Sequence, residues 1–438
     1  MAITILVAGI LLLIFLIAVF KLNAFLSFLL VSILIGIVNG LSIPAIVTSL
    51  QKGLGDLLGS LTIILGLGAM LGKLIASSGA AQQIATSLVE SFGKKYLVWA
   101  LVLTAFLIGI PLFYGVGFVL LVPLIITISY KYNIPAVYIG LPMLAALSVT
   151  HGYLPPHPSP TALVMQYKAD IGLTLFYGFL IAIPAIVIGG PLFARTLKSY
   201  TARPLATFAA APMPDGELPG LFISILTSFL PVLLITLATL TRLFVPGENG
   251  ITKFILAIGD PVIAMLIAVL FAVWSLGLSR KKKMTQVMDE LTGSVKDIAM
   301  ILFIIGGAGA LKQVLADSGT SEVIASHLLS LQVQPLIAAW CISAIIRVAL
   351  GSSTVAGLTT AGIIAPLIVT SGVDPNLMVL ATGAGSLMFS HVNDPGFWMF
   401  KEYFNLSLKD TLKTWSVMES IVSVVGLLGV LIIHQFLK

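Results

Sequence analysis

The sequence predicts an all-α polytopic membrane protein, built as two inverted-topology repeats with broken or re-entrant helices. Three observations carry that prediction: the composition, the recurrence of helix-length apolar runs, and an internal similarity at a nearly fixed spacing. Of the 438 residues, 58% are hydrophobic and 9% charged, where a soluble domain has about 25% charged. Mean hydropathy is +1.12. So few polar side chains cannot cover a water-facing surface, which excludes a soluble enzyme, a disordered chain and a nucleic-acid binder. The net charge of +6 comes from basic residues that are scattered or sit between apolar runs, so it does not argue for nucleic acid. Cys341 is the single cysteine, which excludes an internal disulfide, a cysteine zinc site and an iron–sulfur cluster.

A spanning helix needs roughly 20 apolar residues. The first run, 3–20, stops at Lys21. It lacks a basic leader and a small-residue cleavage site, so it reads as a retained helix and not a signal peptide. Further runs lie near 24–42, 57–76, 96–114, 116–130, 135–150, 171–194, 219–243, 257–279, 298–316, 335–350, 354–372, 375–390 and 413–436. Gly and Pro shorten or interrupt several, so about 10–14 crossing or re-entrant elements are expected. The runs do not alternate in polarity and are rich in Leu, Ile and Ala, which disfavours a β-barrel. Two segments are polar enough for water. Residues 195–218 carry Arg195, Lys198, Arg203, Asp215 and Glu217, and 280–297 open with Arg280, Lys281, Lys282 and Lys283. The basic cluster marks the cytoplasmic side, and two intervening spans put 195–218 there too. The expected plan is a first membrane repeat (1–194), a cytoplasmic linker (195–218) and a second membrane repeat (219–438).

The halves match at an offset near 240. Gly66 pairs with Gly306, Ser78-Gly79 with Ser318-Gly319, Ile84-Ala85 with Ile324-Ala325, Pro135 with Pro375, and His151 with His391. The histidine pair weighs most, because the chain has only five. After Gly40-Leu41-Ser42 the chain carries Lys52 alone before Asp56, whereas four basic residues in a row follow the matching Ser279. That asymmetry predicts opposite sides of the membrane for matching loops, an outside amino terminus, and the inverted-repeat plan common among secondary transporters.

In such proteins, sites form where helices break at matching places. One break is predicted within Ser148–Thr161, where Pro155, Pro156, Pro158 and Pro160 cannot all continue a helix. The other lies within Ser386–Phe397, around His391, Asn393, Asp394 and Pro395. Broken backbone at membrane depth must be buried in protein or line a polar cavity, and helix ends there offer N–H groups to an anion. Thr150, His151, Pro156, His157, His391, Asn393 and Asp394 are therefore candidate substrate contacts. The competing reading is a pair of ordinary surface turns. A hydroxyl-rich break at Ser352, Ser353 and Thr354 is a further candidate, against simple packing of small residues. Arg347, in an otherwise apolar stretch, is a candidate grip for a carboxylate through two parallel hydrogen bonds; the alternative is an arginine snorkelling to the interface. Lys73 and Lys312 read better as snorkelling. His151, His391, Asp394 and Glu402 are candidate proton carriers. No zinc-protease, Walker A or dinucleotide motif is present, so no metal or cofactor site is expected, and secondary transport or a channel remains.

Long stretches of the chain resemble the gluconate permease family (GntP, gluconate:proton symporters), within the ion transporter superfamily. They are GAMLGKLIASSGAAQQIA, LSVTHGYLPPHPSPTA, IIGGAGALKQVLADSG and FSHVNDPGFWMFKEYFNLSLKDT. The resemblance implies proton-driven uptake of gluconate or a related sugar acid or hydroxy acid across a bacterial inner membrane. It also implies a homodimer with a scaffold and a moving transport domain. The family motifs fall on Thr150–Pro158, Ser390–Gly396 and Ala349–Ala356. One position departs: where the family reads Phe-Tyr-Glu-Val-Gly-Phe, this chain has Gly115 in place of the glutamate. Its absence moves the proton task to another group such as His151, His391 or Asp394, or makes the chain an uncoupled facilitator. Two further alternatives stand apart from that position: a transporter of another small hydroxylated carboxylate such as serine, since a hydroxyl-lined pocket accepts many of these, and an intramembrane enzyme using His151, His391 and Asp394.

Overall fold

The computed structural model describes residues 2–112, 114–200, 213–245, 249–320, 323, 333–392 and 394–437. Among these there are helices and no strands. The first half contains α1 (Ala2–Ala18), α2 (Ala24–Val38), α3 (Ile43–Ser77), α4 (Ala80–Phe92), α5 (Leu97–Gly109), α6 (Tyr114–Tyr132), α7 (Ala136–Tyr153), α8 (Pro158–Tyr167) and α9 (Ile171–Val187). The second contains α10 (Leu221–Phe244), α11 (Gly250–Ile258), α12 (Pro261–Ala272), α13 (Met284–Asp317), α14 (Pro335–Leu350), α15 (Ser353–Ser371), α16 (Pro375–Gly385) and α17 (Pro395–Tyr403). A last helix, α18, runs from Leu408 to Phe436 through a π-helical turn at Leu412–Ser416. Polar side chains set many of the starts: Asn23, Asp170, Asp260, Asp374 and Ser352 each accept a hydrogen bond from a first-turn N–H, meeting donors that would otherwise be unpaired in an apolar surrounding.

Six of the described helices are long and apolar enough to cross a membrane, or up to eight if each of two bent pairs is one span. One bent pair, Ala80–Phe92 with Lys94–Gly109, folds back by 113°. The turn sits at Gly93, whose φ of +63° suits a residue without a Cβ. Four shorter apolar helices accompany the spans: Thr4–Ile17, Ala24–Val38, Pro335–Leu350 and Ser353–Ala365. Gly and Pro interruptions thus divide the chain as the sequence suggested.

Helix starts keep a regular spacing between the halves. The pairs Ala24 and Pro261, Ile43 and Met284, Leu97 and Pro335, Tyr114 and Ser353, Ala136 and Pro375, Pro158 and Pro395, and Ile171 and Leu408 stand 237 to 241 residues apart. The longest matching helices, α3 and α13, lie against each other antiparallel. Ser49 near the start of α3 donates to Asp317 at the end of α13 (2.6 Å), and Ser77 at the end of α3 donates to Glu290 near the start of α13 (2.5 Å). Between these ends the backbones touch. A Cβ on Gly53 would stand 2.3 Å from the Gly309 carbonyl oxygen, and one on Gly309 2.4 Å from that of Gly53. Close approach through small residues is how helices associate in lipid, where no hydrophobic drive separates protein from solvent.

The centre of the protein is the stretch Ala136–Tyr167, α7 and α8 together. Its most apolar window is 89% buried inside the protein, against 39–56% for the other five spans. It is therefore enclosed by the rest of the chain. The end of the 195–218 segment is anchored rather than free: the Gln82 side chain of α4 exchanges hydrogen bonds with the Met213 backbone at 2.9 and 3.0 Å. Residues 201–212 of that segment lie outside the described residues.

Candidate functional site

The first break follows from its prolines. α7 closes with the Leu154 N–H donating to the Thr150 carbonyl (3.1 Å). Pro155 and Pro156 have no N–H with which to continue, and α8 restarts after His157. Every residue from 154 to 160 is buried, Pro156 among them. Thr150 is buried too, and its hydroxyl donates back to the Leu147 carbonyl (2.9 Å), which ties it to its own helix. His157 Nε2 lies 2.6 Å from the Gly109 carbonyl. A carbonyl only accepts, so Nε2 carries the proton in a neutral ring and Nδ1 is left as an acceptor. Among the described residues that Nδ1 has no partner, nor do the buried hydroxyls of Ser159 and Thr161. The His151 ring stands edge-on to His157, with centroids 5.4 Å apart.

The second break is longer. α16 ends at Gly385, and α17 begins only at Pro395. Its polar groups are joined to each other. Ser390 donates to Asp394 Oδ2, Trp415 Nε1 donates to the Ser390 hydroxyl (2.8 Å), and Ser416 donates to the Ser390 carbonyl. Asp394 Oδ1 caps α17 by accepting from the Gly396 N–H (2.8 Å). His391 Nε2 lies 2.8 Å from the Val348 carbonyl, to which it donates. Asn393 lies outside the described residues.

Arg347, on the last turn of α14, forms an ion pair with Asp394 through Nη2; the side chains are 5% and 14% exposed. It therefore does not snorkel. Its Nε and Nη1 have no partner among the described residues. Those two nitrogens lie on different edges of the guanidinium, and either fork needs Nη2. Nη2 carries an N–H on each edge and Asp394 occupies one of them, so the other fork can still hold a carboxylate through two parallel bonds.

The third break joins the other two. Gly351 ends α14 with φ +76°, and Ser352 caps α15 by accepting from the Val355 N–H (3.3 Å). Ser353 stands 3.3 Å from His151 Nε2, a contact between the two halves. Thr354 is half-buried in the first turn of α15. A Cβ on Gly357 would lie 3.1 Å from Ser159 Oγ, so the first turns of α8 and α15 adjoin. From there a continuous path crosses both halves. Tyr114 has ring centroids 5.8 Å from His151 and 6.4 Å from Trp415, and Trp415 bonds Ser390 beside Asp394. The candidate contacts His151, His157, Arg347, Ser353 and Asp394 are thus in one cluster at the enclosed centre of the protein.

Glu402 is elsewhere. Its carboxylate is 62% exposed and paired with Lys401 at 2.7 Å. The acid that does reach the centre is Glu419 of α18, 2% exposed, which accepts a hydrogen bond from Ser148 of α7 at 2.5 Å. Sequence reasoning passed over it, although an acid inside the apolar run 413–436 is itself a signal of function. Gly115 is exposed in the first turn of α6, and a Cβ there would meet no heavy atom within 4 Å. Lys312 does not snorkel: its Nζ donates to the Gln166 carbonyl at the end of α8 (2.9 Å), where a cation meets unpaired carbonyls.

The sequence pattern described as "GntP family permease" matches residues 1–436. The chain is 48% identical over 436 residues to a high-affinity gluconate transporter of Escherichia coli, covering 99% of this chain and all of that protein. It is 46% identical to the Gnt-II system L-idonate transporter of the same organism, over the whole of both chains. It is 45% identical to a gluconate permease of Bacillus subtilis, covering 98% of each. In fold it is similar to the YdaH transporter of Alcanivorax borkumensis (TM-score 0.67, 18% identity, 94% of this chain and 97% of that one). The same holds for MtrF of Neisseria gonorrhoeae (TM-score 0.68, 15% identity, 93% and 94%).

Proposed function

From the premise that this chain belongs to the GntP permease family, a family of multi-pass bacterial membrane transporters and not of enzymes, we propose that it imports gluconate or a related sugar acid together with a proton across the inner membrane. One observation carries the reading of the site. Arg347 Nε and Nη1, His151 Nδ1, His157 Nδ1 and Ser159 Oγ are buried in one cluster without partners among the described residues, and leaving such groups unmatched is costly. A sugar acid is the complementary molecule. Its carboxylate matches the guanidinium and the first-turn N–H groups of α15, and its hydroxyls both donate to imidazole nitrogens and accept from serine. The names of the similar gluconate and L-idonate transporters support the same substrate class.

The antiparallel pairing of α3 with α13 and the regular spacing of helix starts support two inverted repeats on either side of the 195–218 linker, with that linker in the cytoplasm. A homodimer belongs to the same reading, and the mass of the purified protein in detergent tests it. The function is tested by uptake of labelled gluconate into proteoliposomes with and without an inward proton gradient. Accumulation above equilibrium only with the gradient is expected. Uptake that merely equilibrates would replace symport with an uncoupled facilitator, and absence of uptake would move the substrate to another hydroxylated carboxylate.

A further inference from the structure

We propose that Glu419 is the group that carries the coupled proton, held for that task by Ser148; the inference rests on the symport reading above. Its carboxyl is 2% exposed, in the centre of the protein. Oε1 accepts the Ser148 hydrogen bond, and Oε2 has no partner among the described residues. Among the described residues no cation pairs with it, and the nearby guanidinium of Arg347 is paired with Asp394. A carboxyl in such surroundings has its charge met either by a proton or by an approaching cation. Oε2 is free to hold the proton while Oε1 keeps the geometry.

The surroundings are otherwise uncharged. Arg347 and Asp394 act on Glu419 electrostatically, and Tyr114 and Tyr153 sense it in turn. Of the elements packed against α18, α16 offers no titratable side chain, and α9 offers Tyr177, which lies towards Asp374. Cys341 and Arg347 come from α14, and the preceding turn carries Lys413, which is exposed. The other acid of the site, Asp394, is committed to Arg347, Ser390 and the cap of α17. Glu419 is the acid left with an open valence, and its hydrogen bond joins α7 of the first half to α18 of the second. A shift between those helices opens that bond and lets the proton leave to one side. With one proton per substrate monoanion, the cycle moves no net charge, so the pH difference alone drives it.

The test uses the full chain in proteoliposomes, with labelled gluconate and a pH dye inside. At one proton per monoanion, one pH unit sustains about tenfold accumulation in the wild type. Glu419→Gln should lower that ratio to the value seen without a gradient and abolish gluconate-evoked acidification, while gluconate counterflow remains measurable. Accumulation equal to wild type in Glu419→Gln would overturn the assignment. So would joint loss of accumulation and counterflow in protein that elutes as wild type, since that outcome marks a structural part. If Glu419→Gln does not fold, Ser148→Ala decides. A displaced pH profile of accumulation supports the proposal, and an unchanged profile overturns it. Should the wild type itself neither accumulate gluconate nor acidify, the symport reading has failed and the assignment falls with it.

Discussion

The two helix breaks occupy matching places, yet they are built differently. The first, around Pro155 and Pro156, is short, wholly buried and uncharged, and His157 Nδ1, Ser159 Oγ and Thr161 Oγ1 have no partner there among the described residues. The second spans nine residues and carries an ion pair. Parts of it reach the surface, with Phe389 39% and Val392 45% exposed, and its polar groups are closed onto one another through Ser390, Trp415 and Ser416. The matching histidines show the difference in miniature. His151 reaches across to Ser353 of the other half, whereas His391 is tied to the Val348 carbonyl on the adjoining helix. Equal sequence positions therefore do not mean equal work. The first break carries hydrogen-bonding groups without partners among the described residues, and the second carries the ion pair and a polar frame closed on itself.

The largest expected effect comes from breaking the charged side. Arg347→Gln leaves Asp394 buried without its cation, and losing one partner of such a pair costs roughly 3–5 kcal/mol. Loss of both thermal stability in detergent and gluconate uptake is expected. The double variant Arg347→Gln/Asp394→Asn should regain much of the stability and none of the uptake; restored uptake would show that the guanidinium is only structural. Next come the histidines, taken as a pair. His151→Ala should weaken gluconate binding by about 3–10-fold, the equivalent of one neutral hydrogen bond, at nearly unchanged stability. His391→Ala should do the reverse, costing about 1 kcal/mol of stability with binding little altered. Calorimetry and thermal unfolding on both variants check the contrast, and equal losses of affinity would erase it. The smallest effect is expected at Gly115. Glutamate there meets no clash, gains helix propensity and sits in a first turn that favours an acid, so stability should rise or fall by no more than about 0.5 kcal/mol. A loss beyond roughly 2 kcal/mol would mean that the position faces hydrocarbon.

Much of this was legible in the sequence because membranes leave few places for polar residues. Arg347 and Asp394 stand out in apolar surroundings, and the proline cluster after Tyr153 had to end a helix. The acids were harder. Glu402 reads as a proton carrier only if its carboxylate is buried, and α17 is too short, at nine residues, for periodicity to reveal which side it presents. Its carboxylate faces outward with Lys401. Glu419 sits in a long apolar helix whose rotation about its own axis is set by packing against α7 and α16, not by local propensity. The partner that gives it meaning, Ser148, is 271 residues away. The pairing of Arg347 with Asp394 is likewise invisible in the sequence, because the two stand 47 residues apart at the ends of different helices.

The seam between α3 and α13 has a consequence for biosynthesis. Gly53 and Gly309 are in backbone contact, and the acids that Ser49 and Ser77 bond are Asp317 and Glu290. At ribosomal rates of about 5–20 residues per second, α3 is made roughly 10–50 s before the segment that completes it. During that interval Ser49 can satisfy itself on the Ala45 carbonyl, 3.0 Å away in its own helix, and a bare glycine face is no burden in lipid. The chain is thus assembled from a first half that persists in the bilayer unfinished, and its central brace can close only when translation is about two-thirds done.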